Sequence, residues 1–304
     1  MFATLLGSLP RPPLAADATP LELLMAVVRA QEEAGLEPVS DAGFGIGATP
    51  AERWRATAAL TDRPVKGALE GPYSTGRGGG GGARPGENHV VAAADALHKD
   101  LLELVAAGCP FIEIHEPAAI EIGADLGRRA SFRAAHQRLL DGLGGVAGPH
   151  VSLAITGGDA NAAGIDTLLA APYASLAVDL IAGPDNWRLV AAVPGDRGVI
   201  CGALPAEGTA DDRIEILLWA AGYAASTRGR GPARVGLATA SSLAGLPWNA
   251  AIRKLAILGE ASRLADMPAD ERRLHLDPRA VDIRSAALGS VGPRPQSRRR
   301  RTPS

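Results

Sequence analysis

Short apolar runs rich in β-forming residues alternate with longer stretches of helical periodicity from one end of the chain to the other. That alternation is the tightest constraint on its fold, because it belongs to βα units built around a parallel sheet. The strand candidates are Ala3–Leu9, Glu37–Gly43, Val65–Gly71, Phe111–Pro117, His150–Gly157, Ala174–Ile181, Gly198–Leu204 and Arg234–Ser241, eight in all. Pro20–Gly35, Glu87–Ala107, Asp211–Ala225 and Trp248–Leu264 carry helical spacing between and after them. Eight strands each followed by a helix predict one α/β domain, a (β/α)8 TIM barrel, over residues 1–290. The end of the chain, 291–304, sets Arg298 to Arg301 among Pro, Ser and Gly without apolar periodicity, which predicts a basic disordered tail.

Bulk properties exclude several classes of partner. A formal net charge of -2 over 304 residues gives no field that would draw the chain to nucleic acid or to an anionic membrane. Two cysteines, Cys109 and Cys201, stand outside any CxxC pair, so neither a disulfide framework nor a zinc finger is expected. The first residues lack the basic and apolar regions of a secretory signal, and no apolar run reaches the roughly 18 residues of a membrane span. The expectation is a cytoplasmic protein that binds a small molecule, with self-association left open.

Alternation within the strands assigns side chains to the two faces of the sheet. In Phe111–Glu116 the isoleucines point outward to the helices while Glu113 and His115 point to the barrel axis. The same split puts Ser152, Ala154, Ser175, Ala177 and Asp179 inside. Polar residues thereby collect towards the C-terminal ends of the strands, where barrel enzymes carry their chemistry.

Several motifs, in order along nearly the whole chain, resemble the catalytic domain of cobalamin-independent methionine synthase. Leu6-Gly7-Ser8-Leu9-Pro10-Arg11 is similar to that family's opening GS(F/L)PR, and Gln31–Glu37 with Ser40-Asp41-Ala42-Gly43 is similar to its Q.E.GLD...DGE segment. Lys66–Ser74 resembles the KG.L.GP strand, Ala107–Ala118 resembles AG...IQIDEPA, and Leu246–Ala261 resembles the closing KL helix. The resemblance implies a methionine-synthase-like barrel, a reduced folate such as 5-methyltetrahydrofolate as cofactor, and methyl transfer. The departures matter as much. The family's zinc ligands fall on Ser152, Ala154, Asp179 and a position near Ala240, and zinc needs three or four N, S or O donors in tetrahedral reach. Its two amine-binding carboxylates become Gly43 and His115. Neither zinc nor methionine synthase activity is therefore expected.

The residues left at the mouth define candidate roles. His115, Glu116, Asp179 and Glu70 are the candidate catalytic groups, since clustered carboxyls beside an imidazole suit proton transfer near neutral pH. Ser8, Asp41, Tyr73, Glu113, Ser152 and Trp187 are the candidate substrate-binding residues. The expected activity is zinc-independent transfer of a methyl or one-carbon unit from reduced folate to a small acceptor other than homocysteine. Two alternatives stand beside it: an acid-base lyase, decarboxylase or cyclase of a specialised pathway, and a non-catalytic binding or scaffold protein. The glycine run between Arg77 and Arg84 lacks GxxxxGK(S/T) and reads as a flexible loop.

Overall fold

The computed structural model describes residues 1–76, 87–143, 148–208, 212–273 and 275. The glycine run and the basic tail lie outside the described residues. Strands β1 (Phe2–Thr4), β2 (Lys66–Glu70), β3 (Phe111–His115), β4 (His150–Ile155), β5 (Ser175–Asp179), β6 (Gly198–Leu204) and β7 (Val235–Thr239) form one parallel sheet in the order β1-β7-β6-β5-β4-β3-β2. The connecting helices are α1 (Pro20–Glu33), α2 (Pro50–Ala58), α3 (Pro72–Thr75), α4 (Glu87–Ala106), α5 (Leu126–Leu139), α6 (Ile165–Leu168), α7 (Asn186–Ala192), α8 (Ile214–Ser226) and α9 (Trp248–Ala265). The compact unit ends at Asp266, and Met267–Ser304 is a second unit in which α10 (Ala269–Arg273) is described.

The sheet has seven strands where the sequence predicts eight, and the difference has a local cause. The Glu37–Gly43 segment makes only the isolated bridge Val39–Val65. It nevertheless bonds to both ends of the sheet: Glu37 N–H donates to the Ala3 carbonyl of β1 (2.8 Å), and Lys66 N–H of β2 donates to the Val39 carbonyl (2.9 Å). Pro38 has no N–H to give a ladder, and Ala42 and Gly43 turn to φ of 51° and 90°, so the extended run cannot continue. The fold is an α/β barrel-like sheet joined across its ends by an irregular segment.

Helix starts follow from the sequence. Thr19-Pro20-Leu21-Glu22 and Thr49-Pro50-Ala51-Glu52 each close a capping box, in which Thr accepts from the Glu backbone N–H and Glu accepts from the Thr backbone N–H. Helix α1 then buries Leu24, Val27 and Val28 against the sheet.

Two apolar cores result. The larger lies between sheet and helices and takes the outward strand residues Ile112, Ile114, Leu153, Ile155, Leu176 and Val178. The smaller lies along the axis and consists of Leu6, Ala154, Ala177, Ile200 and Ala238, with Phe2 and Phe111 packed on it. Its small side chains leave room for the charged groups that share the axis.

Candidate active site

Lysine rarely stands inside a barrel, and here Lys66 opens β2 with only 4% of its surface exposed. Its ammonium donates to both Glu113 oxygens, at 3.0 and 2.9 Å, and to the Leu5 carbonyl at 2.5 Å. Glu113, two residues into β3, is fully buried. Its other partner is His115, whose Nε2 lies 2.6 Å from Glu113 Oε1. Burial would raise the Glu113 carboxyl, but Lys66 and His115 outweigh that and hold it down at about 2. Glu113 is therefore ionised and can only accept, so His115 must carry a hydrogen on Nε2. The other ring nitrogen, Nδ1, is left as the exchanging position.

Lys66, Glu113 and His115 thus form a buried chain of charge leading to the C-terminal end of β3. That end is open. His115 keeps a fifth of its side chain exposed, and Ala68 and Glu70, on the axial face of neighbouring β2, are exposed. Ser152 pairs with Glu113 across β3–β4; it is fully buried, and its Oγ has no hydrogen-bond partner among the described residues.

Ser8 and Asp41 lie half-buried at the same end of the sheet. Ser8 is tied by its N–H to Ser242 Oγ (3.2 Å), and Asp41 Oδ1 accepts from Gly43 N–H (3.0 Å). Gly43 is required here, because a Cβ at that position would stand 2.7 Å from Ser8 Oγ.

Other candidates are not brought to this opening. Glu116 follows His115 and so faces the helices. It is fully buried, its Oε1 accepting from Tyr73 N–H (2.8 Å) and its Oε2 from Ser74 N–H and Oγ (2.8 and 2.5 Å). Gly71 permits this approach, since any Cβ there would overlap the Glu116 carboxylate. His136 Nε2 of α5 lies 3.0 Å from Glu116 Oε1, close enough for an ion pair though not aligned for a hydrogen bond. Its Nδ1 meets the Tyr173 hydroxyl at 2.6 Å. Burial, and then the Glu116 charge, raise the Tyr173 phenol well above its usual value, so it stays protonated.

Tyr73 is buried in the same layer, edge-on to Phe132 at 5.6 Å. Trp187 is half-buried on α7 against Trp219 and Tyr223 of α8, at 4.8 and 5.5 Å. The alternation that aims His115 inward aims Glu116 outward, so the two do not share a cavity face.

Asp179 ends β5 with an organising task. Oδ2 accepts from Gly157 N–H (3.0 Å), while Oδ1 accepts from Ile181 and Ala182 N–H (both 2.8 Å). Both oxygens thus hold the loops after β4 and β5. The positions that match the zinc ligands offer a buried hydroxyl, two alanines and this occupied carboxylate, a set that does not fit zinc. Among the described residues no group of three or more His, Cys, Asp or Glu could hold a metal ion. The cysteines are buried, with burial raising Cys109 to about 11 and Cys201 to about 12, which makes both poor thiolates.

Sequence reasoning passed over Lys66 as chemistry, although a lysine inside the strand VKGALEG was a visible signal. It also passed over His136 and Tyr173, which gave no local signal because helix α5 brings them to Glu116.

No family model and no curated protein sequence matches the chain. Solved structures do. A B12-independent methionine synthase from Shewanella sp. W3-18-1, in complex with selenomethionine, is 17% identical with a TM-score of 0.70 over 90% of this chain and 99% of its own. A Listeria monocytogenes protein taken to be a vitamin-B12-independent methionine synthase is 15% identical, TM-score 0.65, covering 88% and 97%. A methyltransferase from Methanosarcina mazei is 14% identical, TM-score 0.57, covering 86% and 93%. At such identities the likeness is one of fold: the chain has the α/β barrel-like architecture of methionine-synthase-like proteins and methyltransferases. Among the described residues no helix is long and apolar enough to cross a membrane.

Proposed function

We propose that the chain is a methyltransferase-like enzyme that moves a methyl or one-carbon unit from a reduced folate to a small acceptor other than homocysteine, without zinc. The observation that carries this reading is His115, held at the open end of β3 by an ionised Glu113 that is itself fixed by Lys66. A methyl group on the N5 of 5-methyltetrahydrofolate is a poor electrophile, because the departing electron pair would form an amide-like anion. Protonation removes that obstacle.

In the proposed reaction the imidazolium of His115 gives its Nδ1 proton to N5. The acceptor's lone pair then forms the new bond to the methyl carbon, and the carbon–nitrogen bond breaks with its electrons remaining on the protonated N5. His115 is left neutral, its Nε2–H still directed at Glu113. The carboxylate orients the ring through its contact with Nε2. In this reading exposed Glu70 and half-buried Asp41 would receive the donor or a polar acceptor, and buried Ser152 would support the axis beside Glu113. Asp179 and Glu116 serve as organisers of loops and of α3.

An acceptor that needs no thiolate activation accords with the lack of a fitting donor set for zinc. The same His115–Glu113 pair could run acid-base lyase, decarboxylase or cyclase chemistry with no folate. A thermal-shift titration separates the readings: 5-methyltetrahydrofolate at a hundred times its Kd should stabilise the protein by about 3 kcal/mol. No rise in Tm with any reduced folate rejects the methyl-transfer reading, and loss of the rise in His115→Ala ties it to this site.

A further inference from the structure

Barrel enzymes place their sites at the C-terminal ends of the strands, yet among the described residues a cavity of about 740 Å3 lies at the N-terminal ends. Its volume falls in the range that holds a drug-sized ligand. Phe2, Phe111 and His150 line it together with Gly198, the first residue of β6. A side chain at Gly236 would collide with the Phe2 ring, and a Cβ at Gly198 would come within 2.9 Å of Ser175 Cβ.

Phe111 and His150, side by side on β3 and β4, are stacked at 4.8 Å with 15° between their planes. Both are half-buried, so the stacked pair lines the cavity with exposed aromatic surface. His150 Nε2 lies 2.8 Å from Ser175 Oγ, and burial lowers its pKa below the ordinary 6.5, which keeps the pair uncharged at neutral pH.

The rim carries charge of both signs: Glu37 and Asp196 against Arg197 and Arg234. Arg197 is committed in part to the Leu169 and Ala171 carbonyls. Glu37 and Arg234 are exposed, and among the described residues neither side chain makes a hydrogen bond or ion pair. They belong to the segments on either side of β1, since Glu37 bonds to Ala3 and Arg234 leads into β7, the partner of β1.

The geometry points to a second ligand site at this N-terminal mouth, for a flat aromatic zwitterion of the aromatic amino-acid class. Its ring would pack against the stacked Phe111–His150 pair, its carboxylate would meet Arg234, and its ammonium would meet Glu37. A balanced rim disfavours a plain anion or cation, and a neutral stacked pair favours a ring. The site is separate from His115 and does not depend on the methyl-transfer reading.

Calorimetric titration of the full chain with L-tryptophan, indole and indole-3-acetate tests it. Tryptophan should bind saturably with a Kd below ~1 mM. Arg234→Ala, an exposed change that leaves the core intact, should weaken tryptophan about fivefold and leave indole unchanged. His150→Ala should weaken tryptophan and indole alike, with circular dichroism confirming that the variant is folded. Indole-3-acetate, which lacks the ammonium, should bind more weakly than tryptophan, and His115→Ala should bind tryptophan as the wild type does. Absence of tryptophan binding overturns the proposal. So does indole-3-acetate binding as tightly as tryptophan, indifference to Arg234→Ala, or loss of tryptophan binding in His115→Ala.

Discussion

Replacing Lys66 by Met removes the counter-charge of Glu113 while nearly keeping the volume of the side chain. Glu113 is fully buried, so the variant must either hold an unpaired carboxylate beside His115 or protonate it. The size of the effect follows from the carboxyl itself, which the folded protein holds at about 2 against an ordinary 4.5. That difference corresponds to about 3 kcal/mol of stability, in keeping with the roughly 3–5 kcal/mol lost when one member of a buried pair is removed. For a chain of this size the loss lowers Tm by roughly 5 °C.

The sign with pH is fixed as well. A carboxyl depressed on folding contributes fully above its unfolded value near 4.5, and the contribution disappears as pH falls towards 2. The difference between wild type and Lys66→Met should therefore be greatest at neutral pH and shrink below about pH 4. The double variant Lys66→Met with Glu113→Gln carries no buried charge at the pair and should recover at least about 2 kcal/mol relative to additivity. Differential scanning calorimetry of the four proteins between pH 3 and 7 measures all of this. A fall in Tm under about 2 °C for Lys66→Met, or strictly additive losses, would refute the view that the pair holds Glu113 ionised.

Glu116→Gln should destabilise the fold by about 1–3 kcal/mol, because the carboxylate joins α3 to His136; chemical denaturation measures the loss, and unchanged stability would show those bonds to be idle. The same variant should bind 5-methyltetrahydrofolate with unchanged affinity, since Glu116 faces the helical layer. Asp179→Ala should free the loops after β4 and β5, seen as faster hydrogen exchange at Gly157, Ile181 and Ala182. Elemental analysis of the purified protein should find no stoichiometric zinc, and one zinc per chain would contradict the poor fit of the ligand positions.

The sequence carried the fold well because its signals were local. Capping boxes at Thr19 and Thr49, strand alternation around Glu113 and Asp179, and the helical spacing of Trp248–Leu264 each state one element without reference to the rest. The Glu37–Gly43 segment misled because its apolar pattern suits a strand while Pro38 and the positive φ of Ala42 and Gly43 deny it a ladder.

At the candidate site, alternation aimed His115 and Glu113 correctly, yet the pairing of His115 with Glu116 as joint proton handlers neglected that neighbours on a strand face opposite ways. Lys66 shows the reverse problem. Whether a lysine snorkels to solvent or buries its charge depends on a partner from another strand, and that partner, Glu113, lies 47 positions away. Tyr73 and Trp187 sit just beyond strand ends, where sequence position fixes proximity to the mouth but not the direction of the ring; helices α3 and α7 turn both into packing.

The most direct measurement is an NMR titration of the histidine ring resonances with 5-methyltetrahydrofolate. A saturable shift confined to His115, absent in Glu113→Gln and leaving His150 unmoved, is the expected result. Unchanged His115 signals at saturating folate would contradict the proposed role of this imidazole.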